Sequence, residues 1–134
     1  MYKKTMTYTD FNGTKRTEDN YFHLTEAELM KMEMGVRGGY TEYVKRIIDA
    51  QDTPSLIKIF EDLIQLSYGV KDLDGRGFRK SKEALEDFMS TPMYSDLFME
   101  LATDEKAASD FINGVIPADL AKKLEEKRLA ESNN

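Results

Sequence analysis

Few residues in this chain carry the types and spacing that chemistry needs. The tightest group is Asp72-Leu73-Asp74-Gly75-Arg76-Gly77, with Glu83 beyond it. Set against a calcium loop, Asp72 and Asp74 take the first carboxylate positions, Gly77 the sharp-turn position and Glu83 the closing bidentate position. The chemistry would be coordination of a hard divalent cation by oxygen. The surrounding charge opposes it. Arg76 stands in the third ligand position, Arg79 replaces the usual apolar residue, and Lys71, Lys80 and Lys82 flank the loop. A cation there would meet more positive than negative charge. An Asp-Gly turn between two helices is therefore the favoured interpretation, and a calcium- or ligand-responsive regulatory domain is the alternative. The expectation is no metal and no cofactor.

Other reactive groups are isolated. His23 is the single histidine and there is no cysteine, which removes thiolate chemistry, disulfides and any site needing two imidazoles from one chain. A general base needs an ordered partner and a pocket. A lone histidine just before a helix cap is more often structural. Glu61-Asp62 and Glu125-Glu126 are adjacent in sequence, so on a helix their carboxylates diverge. No Ser-His-Asp set and no phosphate-loop pattern is present, and the inventory predicts no enzyme. The basic cluster Lys71, Arg76, Arg79, Lys80 and Lys82 reads first as a solvated loop and second as a dock for an acidic partner segment.

The bulk composition narrows the classes further. The 134 residues suit one domain, with 40% hydrophobic and 33% charged residues in an ordinary globular balance. A net charge of −6 disfavours nucleic acid and anionic membranes as partners. No apolar run has the length of a membrane span and no secretory signal opens the chain, so a soluble intracellular protein is expected. Eight methionines occur beside no tryptophan. Adaptable core filler is the favoured explanation, and a pliable surface for partner helices the sharper one.

These residues must be positioned by a mainly α (α+β) fold, an N-terminal β-hairpin followed by a compact bundle of about six to seven short helices. Lys3 to Phe11 alternates, with Thr5, Thr7 and Thr9 on one face and Lys4, Met6 and Tyr8 on the other. Asn12-Gly13 is a strong two-residue hairpin signal, and Thr14 to Leu24 returns. Thr25 and Glu28 have capping-box spacing. Gly38-Gly39 marks a helical corner before Tyr40 to Ala50. The segment from Asp52 to Gly69 is the expected core organiser: Thr53 as N-cap, Pro54 at the first helical position, Gly69 as a left-handed stop, and apolar residues on several faces. Ser81, Thr91-Pro92 and Thr103 begin three further helices, and Gly114 is expected to end the last of these. Pro117 opens a terminal lysine- and glutamate-rich helix with a thin stripe of Leu120, Leu124 and Leu129. The chain divides as hairpin 1–24, helical core 25–116 and C-terminal helix with a frayed tail 117–134, all in a single domain. No internal repeat or long linker is visible.

The runs IIDAQDTPSLIKIFEDLIQLSYGVKDLDGRGF and LFMELATDEKAASDFINGVIPADL, with the opening YTDFNGTKRTEDNYFHLTEAEL, resemble the tail assembly chaperones of long-tailed (siphovirus-type) bacteriophages of Gram-positive hosts. The likeness covers most of the chain and is one of overall texture: hairpin, a cap at His23-Leu24-Thr25, the Asp-Thr-Pro helix and the Phe111-Ile112-Asn113-Gly114 ending. It implies a non-enzymatic protein that binds the long, helical, apolar tape-measure protein in the host cytoplasm, keeps it soluble while tube subunits polymerise, and is absent from the mature virion. It also implies a longer frameshifted form that reaches the tail tube protein, with this chain as the short form. Coating one client with many copies implies a homo-oligomer, with no nucleic acid and no membrane involved. Met93, Leu120, Leu124 and Leu129 are the expected partner-binding residues.

Overall fold

The computed structural model describes residues 1–116. Strand β1 (Tyr2–Thr9) pairs antiparallel with β2 (Lys15–Phe22), from Tyr2 opposite Phe22 to Thr9 opposite Lys15. Met6 and Tyr8 are buried while Thr5, Thr7 and Thr9 face solvent, as the alternation requires. The turn is wider than the expected two-residue form. Asp10 N–H donates to the Thr14 carbonyl at 2.8 Å and Gly13 N–H to the Asp10 carbonyl at 3.0 Å, and only Gly13 has a positive φ, 83°. The Asp10 carboxylate accepts from the Asn12 and Thr14 amides, both at 2.9 Å, and so stabilises this longer loop over the tight turn.

Helix α1 (Glu26–Met34) starts at a complete capping box on Thr25 and Glu28, and α2 (Tyr40–Ala50) follows the Gly38-Gly39 corner. Helix α3 (Thr53–Ser67) is the core organiser, burying Ile59, Phe60, Leu63, Ile64 and Ser67. Its N-cap is Asp52 rather than Thr53: the Asp52 carboxylate accepts from the Ser55 amide at 3.3 Å and the Ser55 hydroxyl at 2.7 Å. Nor does Gly69 end the helix by turning left-handed. The chain leaves α3 through extended Tyr68 into strand β3 (Tyr68–Lys71), which pairs with β2 and with β4 (Phe78–Arg79). Gly69 is required for a different reason. A Cβ there would lie 2.6 Å from the Phe78 ring and 2.8 Å from Lys80 Cγ.

The sheet is thus four antiparallel strands in the order β1-β2-β3-β4, with α1 to α3 inserted between its halves. The expected two-stranded ribbon gains a second hairpin, and the Asp-Gly turn lies between strands rather than helices. Helices α4 (Lys82–Met89), α5 (Pro92–Thr103) and α6 (Glu105–Val115) complete the described residues, giving six helices among them. Ser81 caps α4 and Asp104, not Thr103, caps α6. Helix α6 runs through Gly114 to Val115. A Cβ on Gly114 would stand 2.5 Å from the Tyr2 ring, so this glycine lets β1 approach α6.

One contiguous apolar cluster joins sheet and helices. Phe22, fully buried, contacts Tyr2, Tyr68, Phe88 and Phe111 with ring centroids 5.5–6.4 Å apart, while Tyr68 stacks on Phe88 at 4.3 Å. The hairpin is anchored through this aromatic hub. A ribbon alone would be marginal.

Candidate partner-binding surface

The calcium alternative requires Asp72, Asp74 and Glu83 to converge. The β3–β4 loop takes them elsewhere. Asp72 forms a bidentate pair with Arg79, 2.9 Å to Nε and 3.3 Å to Nη2, and the Asp74 carboxylate accepts from the Arg76 amide at 3.0 Å. Glu83 lies in the first turn of α4. Among the described residues no group of three or more His, Asp or Glu side chains is arranged to hold a metal ion. Arg79, which counts against the motif in sequence, is the group that occupies the Asp72 carboxylate.

His23 is part of the scaffold. Its amide donates to the Ser67 carbonyl at 2.8 Å and its ring meets Phe78 edge-on at 6.0 Å. Burial, with Lys80 nearby, lowers its pKa, so the imidazole is neutral at pH 7. Lys80 leaves the basic cluster altogether. Its ammonium bridges both Glu28 oxygens at 2.6 Å and the carbonyls of His23 at 3.0 Å and Leu66 at 3.2 Å, pinning α1, α3 and β4 together.

A cleft of about 590 Å³ lies beneath the distal half of the first hairpin. Its roof is Tyr8, Arg16, Glu18 and Asn20 from the inner face of β1 and β2, and its far wall is the α4–α5 corner. Polar residues in the roof are already engaged. Tyr8 donates a short hydrogen bond to Glu18, which holds the phenol above its ordinary pKa. Arg16 pairs with Asp10 at 2.7 Å and holds that carboxyl below its usual range. Met93 forms part of the floor. It is only 4% exposed, and its sulfur accepts from Asn20 Nδ2 at 3.2 Å. Whatever Met93 offers a partner is offered through the cleft. Leu120, Leu124 and Leu129 lie outside the described residues.

The methionines depart from the core-filler expectation. Met6 and Met93 are buried and Met32 partly so, but Met1, Met30, Met34, Met89 and Met99 are exposed. On α1 the reason is visible. Leu29 and Glu33 are the buried residues, because the Glu33 carboxylate accepts from the Thr41 amide at 3.0 Å and hydroxyl at 2.9 Å. Drawing Glu33 inward turns Met30 and Met34, four residues apart, outward; Met34 is 71% exposed. Sequence periodicity hides this, since a glutamate at a core position is rarely chosen over a methionine. Leu66, Val70, Phe11 and Leu73 add further exposed apolar side chains.

A family model described as phage tail assembly chaperone matches residues 1–134, the whole chain. No curated protein and no solved structure matches it.

Proposed function

The chain belongs to the phage tail assembly chaperone family, and on that premise we propose that it binds the tape-measure protein and keeps it soluble while the tail tube is built. The whole-chain family match is the observation that carries this reading. Five exposed methionines and the apolar loop tips support it, since a long helical client with bare apolar stripes needs adaptable apolar partners. The role of the family is non-enzymatic. No helix among the described residues is long and apolar enough to cross a membrane. We place the protein in the host cytoplasm, outside the mature virion, acting as a homo-oligomer in a siphovirus-type phage of a Gram-positive host. A longer frameshifted form would link it to the tail tube protein. The excess negative charge of −6 keeps a coated client soluble.

The test is co-expression of a tagged form of this chain with the tape-measure protein of the same phage. The expected outcome is a tape-measure protein that moves from the pellet to the soluble fraction and co-purifies on the tag. A client that stays in the pellet, with none on the tag, overturns the reading.

A further inference from the structure

Two loops of this fold share one construction. The β1–β2 loop reads Asp10-Phe11-Asn12-Gly13 and the β3–β4 loop Asp72-Leu73-Asp74-Gly75. In each, the glycine amide donates to the aspartate carbonyl, at 3.0 Å and 2.9 Å, and the glycine is left-handed, with φ of 83° and 77°. In each, an arginine from the returning strand clamps the aspartate carboxylate, Arg16 on Asp10 at 2.7 Å and Arg79 on Asp72 at 2.9 Å. The residue after the aspartate is then held out in solvent. Phe11 is 85% exposed and Leu73 fully exposed. Because Tyr21 pairs with Gly69 and Phe22 with Tyr68, β3 runs toward the Lys15 end of β2, so both loops project from the same end of the sheet.

The two loops themselves carry charge opposite to that of the molecule. Asp10 and Asp72 are neutralised by their arginines. Within residues 10–16 and 71–79, Lys15, Lys71 and Arg76 form no ion pair among the described residues, against Asp74, so the loops keep three positive groups and one negative in a chain of net −6, while Glu18 and Asp87 line the adjoining cleft. Bare apolar side chains on rigid, ion-clamped turns are preorganised anchors, with little ordering cost left at binding. An amphipathic helix presents apolar residues at i, i+3, i+4 and i+7 for such anchors to engage.

We propose that the two loop tips form a two-pronged dock, with Phe11 and Leu73 as anchors, for an acidic amphipathic helix of the client. This deepens, and rests on, the chaperone reading by naming the surface and the chemistry of the client segment. The probes are two synthetic amphipathic helical peptides with identical leucine stripes, one with glutamates on its polar face and one with lysines, plus the tape-measure protein itself. The full chain binds the glutamate peptide, more weakly as salt rises, and does not bind the lysine peptide. Phe11→Ser with Leu73→Ser weakens binding at least about tenfold, the effect of losing central apolar anchors, with an unchanged melting temperature. Lys71→Glu with Arg76→Glu reverses the peptide preference. Equal binding of both peptides, binding of neither, or a double serine variant that binds as wild type overturns the proposal. A self-association that only the serine variant loses, without peptide binding, overturns it too and assigns the tips to a second copy. The two readings separate in the client arm. A tape-measure protein solubilised equally by wild type and serine variant refutes the tips alone, whereas one that wild type fails to solubilise refutes the chaperone reading while the peptides still decide the tips.

Discussion

Phe60 is 1% exposed and sits among Ile59, Leu63 and Ile64 at the centre of the apolar cluster. Truncating it removes a fully buried ring from the core, so Phe60→Ala is expected to cost about 3–5 kcal/mol in chemical denaturation. A variant that keeps full stability yet fails to bind its client would place this side chain in a binding surface instead. Gly114 makes the opposite demand. A methyl group there meets the Tyr2 ring at 2.5 Å, so Gly114→Ala is expected to destabilise by about 1–3 kcal/mol, and to cost less when introduced into a Tyr2→Ala background. The burial of Phe60 was legible in the sequence, from the broad apolar coverage between Pro54 and Gly69. The role of Gly114 was not. A glycine near the end of an apolar helix reads as a stop signal, and only the tertiary approach of β1 shows it to be a spacer.

At the scale of elements, side chains distant in sequence set helix ends and junctions. Gly39 precedes α2 without a side chain to cap it, and Glu33 from α1 supplies the acceptor. Glu33→Ala therefore leaves the Thr41 amide unsatisfied at the α1–α2 corner. The expected cost is about 1–3 kcal/mol, with faster amide exchange in the first turn of α2 as its local signature. The Lys80 junction gives a pH dependence. Burial alone raises the Glu28 pKa, but the Lys80 ammonium and the Thr25 amide outweigh it, and the net shift is downward from 4.5. A depressed carboxylate stabilises the fold above its unfolded value and loses that contribution as pH falls through the lower folded value. Acid unfolding profiles of wild type and Glu28→Gln should thus differ above that window and converge below it; curves that stay parallel to the lowest pH contradict the assignment. The capping box on Thr25 and Glu28 was legible in sequence because its spacing is local. Strands β3 and β4 were not, since Tyr68–Lys71 and Phe78–Arg79 are too short to show alternation and are defined by their pairing across the sheet.

For the whole molecule, an N-terminal hairpin followed by short helices was predictable from turn residues and caps. The mounting of that hairpin was not, because the Phe22 hub gathers Tyr2, Tyr68, Phe88 and Phe111 from well-separated parts of the chain. The candidate surface was legible only in part. The methionine count suggested core filler first and a pliable surface second, whereas which methionines face out depended on Glu33 and on packing. The matching Asp10 and Asp72 loops escape a repeat search because their likeness is four residues long and lies in hydrogen bonding more than in sequence. The proposed action of the molecule, suppression of client aggregation, has a direct readout. Denatured tape-measure protein is diluted into buffer with increasing amounts of this chain, and light scattering is followed. Scattering should fall with added chain and vanish at a saturating ratio, with the client recovered in a complex. Scattering that rises as fast at every ratio as in buffer alone would contradict a chaperone that binds and shields the tape-measure protein.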